Sequence, residues 1–349
     1  LNLSPSELDH VIIGNVIPSS TDTMYAGRHV ALRIGAPVQT PGYTVNRLCG
    51  SGLQAIMDAW RLIRLGEAKC VLAGGSENMS MVPHLTYGAR FGTKYGALKN
   101  VDMLLDALTD KYCQTPMGVT AENLAEKYEI SRNECDEFSL NSHKKASKAY
   151  AKGLLKGELS KVNLLRGEID RDEHLREDAS LEGMQKLKSS FKKEGTVTPA
   201  SASGIVDGAS SVIVASESYC QKKGLKPLAE IIDGHVVGVE PTFMGIGPVP
   251  AIKGLLERQS LNLDDVDTVE INEAFAAQTL ACAKELKLPM EKLNIWGGAV
   301  ALGHPLGATG SRIALTVSRQ LEAFKLKRGI ASACIGGGQG ISILLERVE

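Results

Sequence analysis

An internal duplication constrains the fold of this chain more than any other feature of its sequence. Asp9 in SPSELDHVIIGNV matches Asp267 in LNLDDVDTVEINEA, 258 positions later (267 − 9). CGSG at 49–52 and GATG at 307–310 match at the same offset. VLAGG at 71–75 resembles CIGGG at 334–338, and their first glycines lie 262 positions apart (336 − 74), which implies a small insertion. Three matches in the same order predict two structurally related halves.

Each copy reads as a strand, a glycine turn, a helix and a second strand. Leu53, Ile56 and Trp60 follow helical spacing in the first copy, and Ile313 and Val317 repeat it in the second. The apolar run CVLAGG is typical of a buried strand. Strand–helix–strand order predicts parallel pairing through right-handed crossovers. The expected fold class is therefore α/β, with two similar layered halves packed together.

The region between the halves differs from them in composition and in its pattern of apolar residues. Ser131 followed by Glu134 forms a capping box that opens a helix, and residues 153–195 are dense in charge without a long apolar run. We therefore predict an inserted loop domain at 79–205. The N-terminal half then comprises 1–78 plus 206–227, and the C-terminal half comprises 228–349.

Composition excludes several classes of function. Of the residues, 43% are hydrophobic and 23% charged, as in a globular domain, and the net charge of −1 gives no support to nucleic-acid binding. No apolar run reaches the roughly 18 residues of a membrane span. The seven cysteines are odd in number and lack CxxC spacing, so we expect a reducing compartment and neither a disulfide framework nor a metal site.

Cys49 is the cysteine whose position in the sequence indicates a reactive, nucleophilic thiol. It follows an alternating strand pattern and precedes a helix, so its sulfur is expected near free backbone N–H groups and the positive end of the helix dipole. Such a setting lowers a thiol pKa from about 8.5 into the range ~3.5–7.5. Gly50 and Gly52 allow close approach of a substrate. The local stretch is equally compatible with a small residue packed at a tight turn.

Further candidates lie at the matching edge of the second half. Cys334 stands in CIGGGQG, which lacks the GK[ST] of a phosphate-binding loop and the GxGxxG spacing, so its glycines predict a pocket lined by backbone. His304 lies in the loop before the twin helix, and two facing halves would bring it and Cys334 toward Cys49. Asn272 and Glu273 end a strand in VEINEAF, where their alternative role is to cap the next helix.

Four segments carry a resemblance to a known family. NRLCGSGLQAI, NEAFAAQ, NIWGGAVALGHPLGATGSRI and CIGGGQG resemble the signature segments of the thiolases, in the right order along the chain. PMGVTAENLAEKYEISRNECDEFSLNS and MGIGPVPAI are most similar to the degradative 3-ketoacyl-CoA thiolases, particularly the mitochondrial type. The resemblance implies the thiolase fold, a layered α-β-α-β-α core. It also implies that the first strand and helix of the N-terminal half are missing from this sequence.

The resemblance implies a role for each candidate residue. Cys49 would be the acylated nucleophile, His304 would activate it, and Cys334 would exchange protons with the acetyl-CoA carbanion or the incoming CoA thiol. Asn272 would hold a water that forms one oxyanion hole with His304. The backbone N–H groups of Cys49 and Gly336 would form the second.

The resemblance also implies a channel for the pantetheine arm of CoA. Ser203 would contact that arm, and the channel would be lined by Met117, Phe191, Met244 and Phe275. Where the family often reads TAGNASG, this chain reads TPASASG at 198–204. We expect CoA as a substrate, and neither a further cofactor nor a metal.

The implied activity is thiolytic cleavage of 3-ketoacyl-CoA to acetyl-CoA and a shortened acyl-CoA in fatty acid β-oxidation, by ping-pong kinetics through an acyl thioester on Cys49. Cys334 argues against the condensing synthases of the same superfamily, which generally use histidine there. The alternatives are an acetoacetyl-CoA thiolase, which Pro116 disfavours, and a truncated, non-catalytic acyl-CoA-binding protein. Expected partners are further copies of the chain, as a homodimer or a homotetramer paired through 82–115. The expected location is the mitochondrial matrix, or the cytoplasm for a bacterial protein.

Overall fold

Two four-stranded sheets form the centre of the structure, a computed structural model that describes residues 3–164 and 167–348. The N-terminal part contains β1 (His10–Gly14), α1 (Ala26–Arg33), β2 (Gly42–Val45), α2 (Ser51–Arg64) and β3 (Cys70–Glu77). The middle contains β4 (His84–Thr86), β5 (Asn100–Asp102), α3 (Met103–Ala107), β6 (Thr109–Asp110), β7 (Thr115–Pro116), α4 (Met117–Lys127), α5 (Arg132–Ala151), β8 (Val162–Leu164), β9 (Gly167–Ile169) and α6 (Leu181–Gln185). The remainder contains β10 (Gly208–Ala215), α7 (Glu217–Lys223), β11 (Ala229–Gly238), α8 (Pro248–Arg258), β12 (Thr268–Ile271), α9 (Ala276–Leu286), α10 (Ala299–Leu302), α11 (Leu306–Phe324), β13 (Arg328–Ile335) and β14 (Gln339–Arg347).

The two large sheets have related topologies. The first has the order β10-β3-β1-β2, in which β1 runs parallel to β2 and β3 while β10 is antiparallel to β3. The second has the order β11-β14-β13-β12, in which β12 and β13 are parallel and the other pairs antiparallel. The parallel strand–helix–strand units predicted for each half are therefore confirmed.

The duplication extends to individual hydrogen bonds. Asp9 Oδ2 accepts from the backbone N–H groups of residues 69 and 70 at 2.7 and 3.0 Å. Asp267 Oδ2 accepts from those of residues 327 and 328 at 2.7 and 2.9 Å. The strands β3 and β13 thus correspond at the same offset as the two aspartates. The predicted pairing of VLAGG with CIGGG, with an insertion, was wrong, because the twin of VLAGG is GIASA at 329–333 and the glycine similarity misled the alignment.

The helices α2 and α11 lie side by side between the two sheets. Leu53 and Met57 of α2 share one apolar core with Val317 and Leu321 of α11 and with Ile343 of the second sheet. On the outer faces, α1 packs on β1 and β2, while α8 and α9 share a second core with β12 and β13. Three helix layers therefore alternate with two sheet layers, as expected.

The middle region packs mainly on the C-terminal half. The predicted capping box opens α5: the Ser131 N–H donates to Glu134 Oε2 at 2.7 Å, and the Glu134 N–H donates to Ser131 Oγ at 3.2 Å. Leu124 of α4 and Phe138 of α5 join the core formed by α8 and α9. β10 returns to pair with β3, and β11 begins the second sheet. These pairings support our proposed division at 78, 205 and 227.

Candidate active site

The candidate residues gather at the carboxyl ends of the parallel strands, where ligands of open α/β sheets usually bind. Cys49 lies in the turn between β2 and α2, and Asn272 directly follows β12. Cys334 lies one residue before the end of β13. His304 occupies the turn that precedes α11. The duplicated fold therefore delivers side chains from both halves to one edge.

The turn that carries Cys49 is held by its own serine. Ser51 Oγ accepts from the Arg47 N–H at 2.8 Å and donates to the Leu48 carbonyl at 2.7 Å. Leu48 has a positive φ of 46°, which is uncommon for a leucine and is maintained by these bonds. The turn thus positions Cys49 immediately ahead of α2.

The environment of the Cys49 thiol differs from the one expected. Burial raises its pKa to about 11, although the backbone N–H groups of Gly336 and of Cys49 itself favour the thiolate. The negative charge of Glu77 raises the pKa further. The predicted lowering of this pKa was therefore wrong, because loss of hydration outweighs the N–H groups that the sequence correctly indicated. At neutral pH Cys49 is therefore a thiol.

Cys334 lies close to Cys49. Its side chain is fully buried, and burial together with the charge of a Cys49 thiolate raises its pKa well above the usual value. It packs in a cluster with Met117, Met244 and Phe275. The structure therefore brings the two cysteines together and places Cys334 against three residues of the expected channel.

His304 is a neutral imidazole with a defined tautomer. Burial lowers its pKa to about 4. The Thr309 hydroxyl donates to the Pro305 carbonyl at 3.1 Å, so the His304 Nδ1–H donates to Thr309 Oγ1 at 2.6 Å. Nε2 is left as the acceptor, with Asn272 Nδ2 at 3.3 Å. This arrangement presents an unprotonated nitrogen to the site.

Asn272 and Glu273 do not cap the helix that follows them, as the alternative interpretation required. α9 begins without a side-chain cap. Asn272 is buried, and its Oδ1 has no hydrogen-bond partner among the residues that the structure describes. The Glu273 carboxylate accepts from Ser142 Oγ at 2.7 Å, Asn294 Nδ2 at 2.9 Å and the Val300 N–H at 3.1 Å. Glu273 therefore holds the surrounding loops together, while Asn272 keeps an acceptor available.

The residues expected at the pantetheine channel lie beside this site. The Ser203 N–H donates to the Ala274 carbonyl at 3.0 Å, next to Phe275. The Phe191 and Phe275 rings meet edge to face, with centroids 6.3 Å apart. One residue after Ser203, the Gly204 carbonyl accepts from the His304 N–H at 3.1 Å. The segment that carries Ser203 thus connects the aromatic pair to the histidine.

The altered loop TPASASG closes on itself. The Thr198 N–H donates to Ser201 Oγ at 2.9 Å, and the Ser201 carbonyl accepts from the Ala276 N–H at 2.8 Å. Pro199 and Ala200 lie inside this closed turn. The departure from the family pattern therefore leaves Ser203 anchored to the start of α9.

Sequence reasoning missed two residues of the site. Thr309 stands within the quoted GHPLGATG segment, five positions after His304, where a hydroxyl in the first turn of the helix was the available signal. Glu77 is the one charged residue of β3, and it ends the apolar run CVLAGGSE. Burying a charge at the end of a strand costs free energy unless the charge is paired. The position of this glutamate after an apolar run was therefore the available indication of a functional or structural role.

Two negative findings hold for residues 3–164 and 167–348. In these ranges no three His, Cys, Asp or Glu residues converge as metal ligands do. None of their helices combines the length and apolar character needed to cross a bilayer.

Comparison with known proteins gives consistent matches along the chain. The family model described as "Thiolase, N-terminal domain" matches residues 1–218, and "Thiolase, C-terminal domain" matches 225–347. The chain is 48% identical to human mitochondrial 3-ketoacyl-CoA thiolase over 349 residues, which is 99% of this chain and 88% of the relative. It is 47% identical over 354 residues to a probable acetyl-CoA acyltransferase of Staphylococcus aureus (strain COL), covering 99% of this chain and 89% of the relative.

Solved structures match the fold closely. The crystal structure of human mitochondrial 3-ketoacyl-CoA thiolase in complex with CoA superimposes with a TM-score of 0.97 at 48% identity, covering 99% of this chain and 88% of that one. The Bacillus anthracis acetyl-CoA acetyltransferase gives a TM-score of 0.95 at 43% identity, covering 99% and 89%.

Proposed function

The chain belongs to the thiolase family, and from that premise we propose that it cleaves 3-ketoacyl-CoA with CoA, giving acetyl-CoA and a shortened acyl-CoA in fatty acid β-oxidation. It is an acyltransferase, as are the relatives named 3-ketoacyl-CoA thiolase and acetyl-CoA acyltransferase. The observation that carries the proposal is the neutral His304, whose unprotonated Nε2 lies at the edge shared by Cys49 and Cys334.

In the first half-reaction Cys49 attacks the 3-keto carbon. Its thiol and the His304 imidazole are both uncharged at rest, so no isolated charge is buried before the substrate arrives. The proton moves from Cys49 Sγ to His304 Nε2 as the C–S bond forms. The C2–C3 bond then breaks, and Cys334 protonates the carbon that leaves as acetyl-CoA.

In the second half-reaction the incoming CoA thiol gives its proton to the Cys334 thiolate. The CoA sulfur attacks the acyl–Cys49 thioester, Cys49 leaves, and it recovers a proton from the His304 imidazolium. Both cysteines and the histidine return to their neutral forms. A sulfur nucleophile suits this sequence because the acyl group stays activated as a thioester throughout.

Two groups of donors would stabilise the oxyanions of these steps. The N–H groups of Cys49 and Gly336 favour a negative charge on Cys49 Sγ, so they are suited to stabilise the carbonyl oxygen that develops charge beside the new bond. The free Oδ1 of Asn272 supports the second proposal, that Asn272 accepts from a water which, together with His304, faces an oxyanion. Burial strengthens both interactions.

CoA is the proposed substrate that carries the acyl groups in and out. The apolar cluster that contains Met117, Met244 and Phe275, with the Phe191 ring against Phe275, supports the proposal that its pantetheine arm binds there beside Ser203. A related human enzyme has been solved in complex with CoA. The proposed chemistry requires no other cofactor and no metal.

We further propose that the chain associates as a homodimer or a homotetramer. Within 82–115 the side chains of Phe91 and Tyr95 are 91% and 100% exposed, and Tyr112 is 88% exposed. Aromatic residues so exposed are favoured at protein contacts. The mitochondrial matrix stays the proposed location, with the cytoplasm as the alternative for a bacterial protein, because a human mitochondrial relative is 48% identical and a bacterial relative 47% identical.

Initial-rate kinetics test the proposal. With 3-ketoacyl-CoA substrates of several chain lengths and varied CoA, we expect acetyl-CoA formation and parallel double-reciprocal lines. Activity confined to acetoacetyl-CoA would favour the acetyl-CoA acetyltransferase function of the Bacillus anthracis relative. A folded protein that binds acyl-CoA without releasing acetyl-CoA from any substrate would establish the non-catalytic alternative and contradict our proposal.

A further inference from the structure

One buried carboxylate joins the two halves behind the active site. Glu77 is 3% exposed, at the end of β3. Its Oε1 accepts from the Ile17 N–H at 3.0 Å and from Asn15 Nδ2 at 3.3 Å. Its Oε2 accepts from the Val16 N–H at 3.1 Å and from the Gly307 N–H at 2.8 Å. Residues 15–17 belong to the N-terminal half, and Gly307 belongs to α11 of the other half.

The four donors favour the ionised form of Glu77. Each carboxylate oxygen receives two N–H donors, so a proton on either oxygen would face a donor instead of an acceptor. Burial is the largest influence and leaves the pKa of this carboxyl above its usual value, although the N–H groups of Ile17, Gly307 and Val16 partly offset it. Charge-assisted bonds of this kind are stronger than neutral ones, and replacing the carboxylate leaves buried donors unpaired.

The two segments that Glu77 binds, residues 15–17 and the start of α11, lie beside the proposed nucleophile and the proposed base. Val16 and Ile17 form an apolar cluster with Leu306, and Cys49 packs against that cluster. Gly307 is the second residue of α11, directly after the His304–Pro305 turn. A single side chain thus fixes the strand-end loop beside Cys49 and the helix start beside His304.

We propose that Glu77 is a positioning residue that sets the placement of Cys49 relative to His304, and that its buried negative charge adds to burial in disfavouring ionisation of the Cys49 thiol. This inference rests on the proposed acyl transfer for its kinetic consequence. Its electrostatic consequence is independent of turnover.

The electrostatic consequence of Glu77 follows from the charged and titratable groups around Cys49. Among the described residues, Glu77 is the charged side chain that acts on the Cys49 thiol, and Cys334 is the neighbouring titratable group that responds to Cys49. His304 stays neutral above about pH 4. Removing the negative charge of Glu77 therefore favours the Cys49 thiolate.

The substitution Glu77→Gln keeps the shape and removes the charge. We expect kcat to fall on the order of 10- to 100-fold with the KM for CoA little changed, since small displacements of reacting groups have effects of this size. We also expect Cys49 alkylation by iodoacetamide, followed by peptide mass spectrometry, to begin at lower pH than in the wild type. Glu77→Asp, which keeps the charge and shortens the reach, is expected to lower kcat while leaving the alkylation profile in place.

Asp233→Asn is the matched control. Asp233 is also 3% exposed and accepts from the Gly234 N–H at 2.8 Å and from Gln259 Nε2 at 2.9 Å, but it lies on β11 in the other sheet. It is expected to cost stability without moving the alkylation profile of Cys49.

Wild-type kcat and an unchanged alkylation profile in Glu77→Gln would overturn the inference. If that variant does not fold, wild-type kcat in Glu77→Asp, or a shifted alkylation profile in it, would overturn the inference as well. The alkylation result stands even where the wild type cleaves no 3-ketoacyl-CoA, so failure of the proposed function is recognised separately.

Discussion

Gly52 of α2 and Gly310 of α11 lie against each other's helix backbone. A Cβ on Gly52 would lie 3.0 Å from the backbone N of Gly310, and one on Gly310 would lie 2.3 Å from the backbone N of Leu53. The two glycines correspond across the duplication, at the offset that relates Asp9 to Asp267. Backbone contact at this point brings the helix starts together, and with them the turns that carry Cys49 and His304.

The substitution Gly310→Ala is expected to force the two helices apart. Because the obstructing atom is backbone, it cannot rotate away, and overpacking of this kind costs about 1–3 kcal/mol of unfolding free energy. Urea denaturation measures the loss. Gly238→Ala is the control, since its nearest contact would lie at 3.9 Å. Equal stability of the Gly310→Ala variant and the wild type would contradict the close packing.

Replacing Thr309 tests the tautomer of His304. Valine keeps the shape but removes the oxygen that accepts from the His304 Nδ1–H at 2.6 Å, so the ring loses its orientation. We expect kcat/KM for acetoacetyl-CoA cleavage to fall about 10- to 100-fold in Thr309→Val, the size of effect found when partners that orient metal-binding histidines are removed. Thr309→Ser retains the hydroxyl and should stay close to the wild type. Equal losses in both variants would exclude a role for the hydroxyl.

Replacing Asn272 with aspartate tests the electrostatics of the base. Burial lowers the pKa of His304 to about 4, so the wild-type kcat/KM is expected to lose no activity to histidine protonation until the pH approaches that value. An anion 3.3 Å from Nε2 favours the imidazolium and raises the pKa. The acidic limb of the pH profile of Asn272→Asp should therefore move to higher pH. An unmoved limb would show that the limb reports another group.

A buried histidine away from the site makes stability depend on pH. Burial lowers the pKa of His143 to about 4, and its Nδ1 accepts from the Arg176 N–H at 3.2 Å, which only the neutral ring can do. Below about pH 6.5 His143 binds a proton in the unfolded chain but not in the native state. The free energy of unfolding therefore falls as the pH drops from 6.5 to 4. His143→Gln should lose roughly 2 kcal/mol less than the wild type between pH 7.5 and 5. Urea denaturation at both pH values measures this, and equal losses would refute it.

Features set by residue spacing along the chain were predictable from the sequence, whereas features set by the surroundings of a side chain in the folded protein were not. The duplication and the α5 capping box were predictable, because both follow from residue spacing, whereas Cys334 was placed near Cys49 through an alignment of CIGGG with VLAGG that the strand register corrects. The thiol pKa of Cys49 was not, since it depends on burial by residues from both halves. The four donors around Glu77 come from residues 15–17 and 307, and no local pattern reveals such a convergence.

The central claim is that Cys49 carries the acyl group, and mass spectrometry tests it directly. The protein is mixed with acetoacetyl-CoA in the absence of CoA, quenched in acid and digested. We predict an acetyl group on the peptide that contains Cys49, release of acetyl-CoA in equal amount, and neither result in Cys49→Ala. Acetyl-CoA formation without an adduct, or an adduct on Cys334 instead of Cys49, would contradict the account.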